Sequence, residues 1–307
     1  MSMTLAAHDL LLSVHGIEIK FMTNSSALVE SVEALLRHFE CKTFEGRPMW
    51  RCDVYAEHRL LIADFYEEGV VVVEGTSGSV QGFLVRPEGM SPDIQVSFVH
   101  FAMTELLKRR GLYTFHATAL EKNGQGVLIP GFSGRGKTTS FLSLLRAGYR
   151  YLSDDHPFFR LNGNGVEILP YPLRINVTDD TVSLFPELRD APPSILHAAL
   201  PKRYFYAEAL YPDPLGSPCE PAVILFPQVA DAPYSCLEPL SRKRALEMIL
   251  PHSLLVYDAE VARREFSTLV RLVEQADCYR LHFGRDVVEL PWLVTPLLEK
   301  RQARREN

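Results

Sequence analysis

Gly131-Phe132-Ser133-Gly134-Arg135-Gly136-Lys137-Thr138 fits the spacing GxxxxGK[ST], which lets a short loop hold phosphate. Its glycines let the backbone turn until successive amide N–H groups converge on phosphate oxygens, and a helix starting at its end aims its positive dipole at the same anion. In that reading Gly131, Ser133, Gly134, Arg135, Gly136, Lys137, Thr138 and Thr139 cradle the nucleotide phosphates. Lys137 neutralises β- and γ-phosphate charge, and the Thr138 hydroxyl holds Mg²⁺. Downstream, Asp154-Asp155 closes a short apolar run. One such carboxylate can serve Mg²⁺, directly or through water, while a second accepts the proton of an attacking hydroxyl. An isolated Asp-Asp more often only opens a turn, and a lone strand histidine such as His116 is more often structural, so position must decide.

The elements around the loop supply that position. Tyr113 to Lys122 and Gln125 to Pro130 are two strand candidates joined by Asn123-Gly124, a strong two-residue hairpin signal. With Lys122 opposite Gln125, paired residue numbers sum to 247, which places His116 opposite Gly131 at the mouth of the loop. Thr138 to Ala147 reads as a helix with Phe141, Leu142, Leu144 and Leu145 turned to the core and Gly148 at its C-terminal cap. Tyr149 to Ser153 then reads as a strand. A strand, loop, helix, strand unit returns its second strand parallel to the first, so Asp154-Asp155 is expected on the same sheet edge as the loop, with histidine on one flank of the phosphate and carboxylates on the other.

Residues 1 to about 110 form a first section without catalytic spacing, read as an N-terminal α+β subdomain; residues 111–307 form the second. In the first, a helix is expected from Ser25-Ser26 to about Glu40. Strands follow at Cys52 to Asp64, Val70 to Glu74 and Val80 to Val85, and a second helix from Ile94 to Arg110. Past the loop, eleven prolines between Pro186 and Pro239 argue against long regular elements, leaving Ala222 to Phe226 as the clear buried strand. Arg174, Lys202 and Arg203 are the cations best placed to reach phosphate or acceptor, although solvated surface is the commoner fate of such residues. The chain closes with a helix near Glu260 to Gln275, a strand at Cys278 to Phe283 and a helix from Pro291 to about Arg301.

Composition narrows the class. At 307 residues, 47% hydrophobic and 23% charged, the chain can bury a large core. A formal charge of -6 gives no basic footprint for nucleic acid and no cationic face for membranes. Cys41, Cys52, Cys219, Cys236 and Cys278 are odd in number and lack CxxC spacing, so neither a disulfide framework nor a zinc site is expected. That fits a reducing cytoplasm. No Lys or Arg precedes Lys20, and His8 and Asp9 interrupt the apolar start, which is unlike a secretory signal; no run reaches the length of a membrane span.

The run from Phe115 to Asp155, FHATALEKNGQGVLIPGFSGRGKTTSFLSLLRAGYRYLSDD, resembles the catalytic core of the HPr kinase/phosphorylase family. The resemblance rests on His116, the GxSGxGK[ST] form of the loop, the apolar helix, the Gly148 turn and Asp154-Asp155. The loop and the later Asp-Asp are also similar to ATP-dependent phosphoenolpyruvate carboxykinase, which shares that fold. The resemblance implies an α/β fold with a mixed-sheet, P-loop kinase core. It implies ATP and Mg²⁺ as cofactors and transfer of the γ-phosphate to a hydroxyl, with a Ser of a protein or peptide as the favoured acceptor. A small-molecule hydroxyl, or a nucleotide-binding module that transfers nothing, is the alternative. It also implies that Lys137 and His116 join the catalytic set, with Asp154 as the catalytic carboxylate and Asp155 as its companion at the metal beside Thr138. Two departures stand out. The family's EIRGLGIIN-like run has only a loose substitute in Pro170 to Val177, and Thr139 stands where HPr kinases have Glu, as in the carboxykinases. The resemblance therefore does not extend to phosphorylase activity, a hexamer or HPr as target. The layout is closer to HPr kinase-related proteins encoded near bacterial peptide-modification genes, some of whose relatives phosphorylate a serine in a peptide. Oligomeric state is left open.

Overall fold

The computed structural model describes residues 8–23, 25–43, 60–64, 69–74, 79–84, 92–131, 136–163, 165–194, 202–253 and 259–306. The chain divides into two compact units, one of residues 1–111 with 257–261, the other of residues 112–256 with 262–307.

The first unit contains β1 (His8–Val14), β2 (Ile17–Thr23), α1 (Ser26–Leu35), β3 (Glu40–Thr43), β4 (Leu60–Asp64), β5 (Gly69–Glu74), β6 (Ser79–Leu84) and α2 (Pro92–Arg109). Its strands form two antiparallel three-stranded sheets, in the orders β2-β1-β3 and β4-β5-β6. Helix α1 stops five residues short of the expected Glu40, because Leu36 leaves helical geometry at φ -112° and Glu40 enters the ladder with Ser13. Of the strand expected from Cys52, the part before Leu60 lies outside the described residues, as does Val85.

The second unit is a mixed α/β structure. Its elements are β7 (Tyr113–Thr114), β8 (Ala117–Lys122), β9 (Gln125–Pro130), α3 (Lys137–Arg146), β10 (Arg150–Ser153), β11 (Phe158–Asn162), β12 (Gly165–Leu169), β13 (Ile175–Val177), α4 (Asp179–Leu184), β14 (Pro193–Ser194), β15 (Lys202–Phe205), α5 (Ala207–Leu210), β16 (Glu220–Val229), β17 (Cys236–Pro239), α6 (Arg242–Ile249), α7 (Ala259–Gln275), β18 (Asp277–Phe283) and α8 (Leu290–Glu306). A six-stranded sheet in the order β10-β8-β9-β16-β18-β17 is its centre. Strands β9, β16 and β18 run parallel; the β8, β10 and β17 pairings are antiparallel.

The central strands are apolar at consecutive positions because both faces are covered. Val223 and Leu225 join Phe141, Leu144, Leu145, Val294 and Leu298 of α3 and α8 on one side. Ile224 and Phe226 join Ala245, Leu269, Leu272 and Val273 of α6 and α7 on the other. Strand β16 tolerates two prolines because each stands where only one neighbour pairs: Pro221 opposite β9 alone, Pro227 opposite β18 alone. Among the described residues no helix is long and apolar enough to cross a membrane, and Cys219, Cys236 and Cys278 are free thiols.

The hairpin register is as expected, running from Lys122↔Gln125 to Ala117↔Pro130. Its turn uses positive φ at Asn123 (53°) and Gly124 (75°), the geometry two-residue hairpins need. The long strand expected from Tyr113 is instead broken. Tyr113–Thr114 pairs with β11, and at the break the His116 N–H donates to the His252 carbonyl (2.8 Å). Strand β10 does run parallel to β9, but β8 lies between them.

Candidate functional site

Gly131, Lys137, His116 and Asp154-Asp155 meet at one edge of the six-stranded sheet. Parallel β9 and β10 end there, α3 starts there, and β8 enters from the same edge in the opposite direction. The Gly131 N–H donates to the His116 carbonyl at 3.5 Å, continuing the hairpin one step past its last named pair, and the Ala117 N–H donates to the Asp155 carbonyl at 3.0 Å. Main-chain bonds on β8 thus connect both flanks of the site.

Helix α3 begins at Lys137, preceded by Gly136 at φ 86°, a left-handed conformation that disfavours a Cβ. Its first turn carries no acidic residue of its own. Phe132, Ser133, Gly134 and Arg135 lie outside the described residues. Thr138 and Thr139 occupy the first turn and are partly buried.

Lys137 is buried, with only 6% of its side chain exposed, so its charge needs partners. Its Nζ lies 2.6 Å from His116 Nε2 and donates to Asp155 Oδ1 at 3.3 Å. His116 Nε2 is in turn 3.0 Å from the same Asp155 oxygen. One ring nitrogen can accept from Lys137 or donate to Asp155, but not both at once, so the two contacts are alternatives set by the ring's tautomer. The separate flanks expected for histidine and carboxylates are thereby corrected: His116 and Asp155 touch, because β8 lies between the loop strand and the carboxylate strand.

The two aspartates sit in opposite environments. Asp154 is buried and accepts a hydrogen bond from the buried Thr118 hydroxyl at 3.2 Å. Loss of water and then the neighbouring Asp155 charge push its pKa up to about 8, against the smaller opposing pull of Lys137, Thr118 and Lys202. Asp155 keeps 48% of its side-chain surface. Partial loss of water works to raise its pKa, but the His116 hydrogen bond and the Lys137 charge outweigh that and hold it below the usual carboxylate range. Environments that split two adjacent carboxyls in this way separate a proton-accepting role from a permanently charged one.

Three further neighbours were not singled out from the sequence. Thr118 holds Asp154. The His156 ring centroid is 5.9 Å from that of His116, and His252 receives the His116 backbone N–H. Adjacency to Asp155 could have pointed to His156. His252 lies too far along the chain for any local signal.

The three cations singled out in sequence divide. Arg203 is held by Asp179 (2.8 Å) and by the carbonyls of Arg189 and Ala191, outside the carboxylate cluster. The Arg174 guanidinium lies 5.5 Å from the Tyr204 ring centroid. Lys202 is near enough to Asp154 for its charge to act on that carboxyl. Among the described residues no three His, Cys, Asp or Glu side chains converge as a metal cage.

No protein-family model matches the chain, and no curated protein matches it. Among solved structures, it is similar to one described as the Hpr(Ser) kinase/phosphatase from Coxiella burnetii, at 13% identity and a TM-score of 0.32, over 63% of this chain and 99% of that one. This is a distant structural likeness, and it has no bearing on what the site does.

Proposed function

We propose that the second unit is an ATP- and Mg²⁺-dependent kinase core that transfers the γ-phosphate to a hydroxyl, with a Ser of a protein or peptide as acceptor. The observation that carries this reading is the buried Lys137, joined to His116 and Asp155 at the start of α3, beside a second carboxyl of raised pKa.

The residues suit the cofactor. A helix N-terminus with no acidic residue in its own first turn and a buried ammonium favour polyphosphate. Asp155 stays ionised, and the Thr138 hydroxyl lies in the first turn of α3. Together they offer one or two protein oxygens, which is how Mg²⁺ is held when phosphates and water complete its shell. Bound Mg²⁺·ATP supplies the phosphoryl group and an electrophilic phosphorus.

Lys137 and the first-turn amides orient the phosphates and balance charge as it shifts toward the leaving oxygen. The acceptor hydroxyl attacks the γ-phosphorus, the bond to the β-phosphate oxygen breaks, ADP leaves, and the hydroxyl proton passes to Asp154 in its ionised form, whose share rises as pH climbs toward about 8. His116 bonds to Asp155 beside Lys137 and so helps hold Asp155 anionic. Thr118 orients Asp154. Incubation with γ-labelled ATP and extract of the native host should label a hydroxyl-bearing species. Lys137→Ala should weaken nucleotide binding by roughly tenfold or more; unchanged titration and turnover would sink the assignment.

A further inference from the structure

Beyond β9 the sheet continues as β16 and β18, which run parallel to it, so all three strands end at the edge that carries Lys137. The last residues of β16 and β18 share a face. Val229 is in register with Phe283, two places beyond the partners Pro227 and Leu281. Residues in register point the same way, and alternation puts these four on the α3 side with Leu225. Both ends of the phosphate loop rest on this row: a Cβ on Gly131 would lie 3.7 Å from Pro227 Cγ, and one on Gly136 would lie 3.5 Å from Cδ1 and Cε1 of the Phe283 ring. Phe283 is half-buried, and Val229 beside it is 60% exposed.

The loops that follow the two strands are clasped together. Gly284 lies so close to Tyr234 that a Cβ would come within 2.5 Å of the Tyr234 carbonyl carbon. The Ser235 hydroxyl accepts from the Gly284 N–H (3.0 Å) and donates to Asp286 Oδ1 (2.6 Å), which also accepts the Ser235 N–H (2.7 Å). The Ala230 N–H donates to the Phe283 carbonyl (3.0 Å), and the Arg285 N–H to the Ala232 carbonyl (3.1 Å). Val229 and Phe283 are thereby held in place, with Tyr234, 73% exposed, on the clasped loop alongside.

Sheet order decides which part of a nucleotide reaches this row. His116 and Asp154-Asp155 belong to β8 and β10, on the other side of β9. In-line transfer sets the acceptor and the leaving ADP on opposite sides of the phosphorus. With the γ-phosphate turned to Asp154, the nucleoside therefore extends away from β8 and β10, toward the ends of β16 and β18. We propose that Val229 and Phe283, with Tyr234 at the rim, form the seat of the nucleobase, an apolar face that takes the adenine of ATP by stacking and burial. This rests on the proposed phosphoryl transfer at Asp154. A flat base laid there covers the exposed Val229 side chain and what remains exposed of the Phe283 ring, directly beside the loop that holds the phosphates.

The test titrates the full chain, with Mg²⁺, against a non-hydrolysable ATP analogue and against inorganic tripolyphosphate, which has the phosphates and no base. Val229→Ser and Phe283→Leu should weaken the analogue, by roughly fivefold and tenfold, and leave tripolyphosphate affinity unchanged. Phe283→Tyr keeps the ring and should keep most of the affinity for the analogue. Leucine retains apolar bulk against Gly136, and melts of each variant without ligand report whether the fold is intact. Equal loss for both ligands would make these side chains supports of the loop and overturn the seat. No loss for either ligand would overturn it as well, and both results leave the kinase reading standing. Failure of the wild type to bind either ligand would overturn both.

Discussion

Asp154→Asn should make the protein more stable and nearly inactive at once. In the unfolded chain this carboxyl ionises near 3.8, whereas in the folded state it holds its proton up to about 8. A raised folded-state pKa means stability is fullest below 3.8 and is lost as pH rises through the window to about 8. Each unit of displacement is worth about 1.4 kcal/mol, so at pH 7 the three units above the unfolded value set a ceiling on the order of 4 kcal/mol. Asparagine keeps the oxygen that accepts from Thr118 and has no charge to desolvate. At ~2–4 °C per kcal/mol for a unit of this size, the variant's Tm should exceed wild type by up to on the order of 10 °C near neutrality. Thermal melts without nucleotide, run across the window, should show the gap opening from near zero in acid. Phosphoryl transfer, measured in parallel, should fall by ~10²–10⁴ through loss of the proton acceptor. A variant that melts at or below wild type at neutral pH, or a pH-independent gap, refutes the desolvation argument; full turnover refutes the base.

Gly126→Ala should cost roughly 1–3 kcal/mol in denaturant titrations. The new Cβ would lie 2.3 Å from Ile168 Cδ1 and 3.2 Å from the Glu220 carbonyl oxygen, and the backbone atom cannot swing away; unchanged stability would mean the β9–β16 spacing is looser than described. His252 has its pKa lowered to about 4, first by burial and then by the His116 and Lys137 charges. The unfolded chain therefore takes up its proton first, and stability should drain away as pH falls from about 6.5 toward 4. His252→Gln should flatten that acid limb in pH-dependent melts, and an unaltered slope would disprove it.

Local chemistry was readable where a short-range rule fixed it. Asn123-Gly124 permits a two-residue turn, so every pair from Lys122↔Gln125 to Ala117↔Pro130 follows from the sequence. Parallel return of the carboxylate strand was also readable, because a helix between two strands carries the chain back along the sheet before the second begins. Its neighbour was not: pairing β10 with β8 rather than β9 depends on the whole sheet. The break at His116 was hidden for a similar reason, since it is made by the His252 carbonyl and by a bridge from Phe115 to Ser253, both distant in sequence. Tyr113-Thr114 and Ala117–Lys122 read as one strand by propensity and serve two sheets in space. Arg203 was singled out with Lys202, but alternation sends the two to opposite faces, where Arg203 meets Asp179. The loop residues Ser133, Gly134 and Arg135 stay an expectation from their pattern.

The position of β8 between the loop strand and the carboxylate strand makes it a gauge for the site. His116 and Thr118, which engage Lys137, Asp155 and Asp154, are metered out from Asn123-Gly124, His116 by the six residues of β8, about 20 Å, and Thr118 by its last four. Exchanging that turn for another of two residues leaves the count intact. An extra residue drawn from it into the ladder shifts β8 against β9 and turns Thr118 to the opposite side of the sheet. The chemistry at one edge is therefore written in the length of a turn at the other, and a lesion there would silence the site without touching any residue in it.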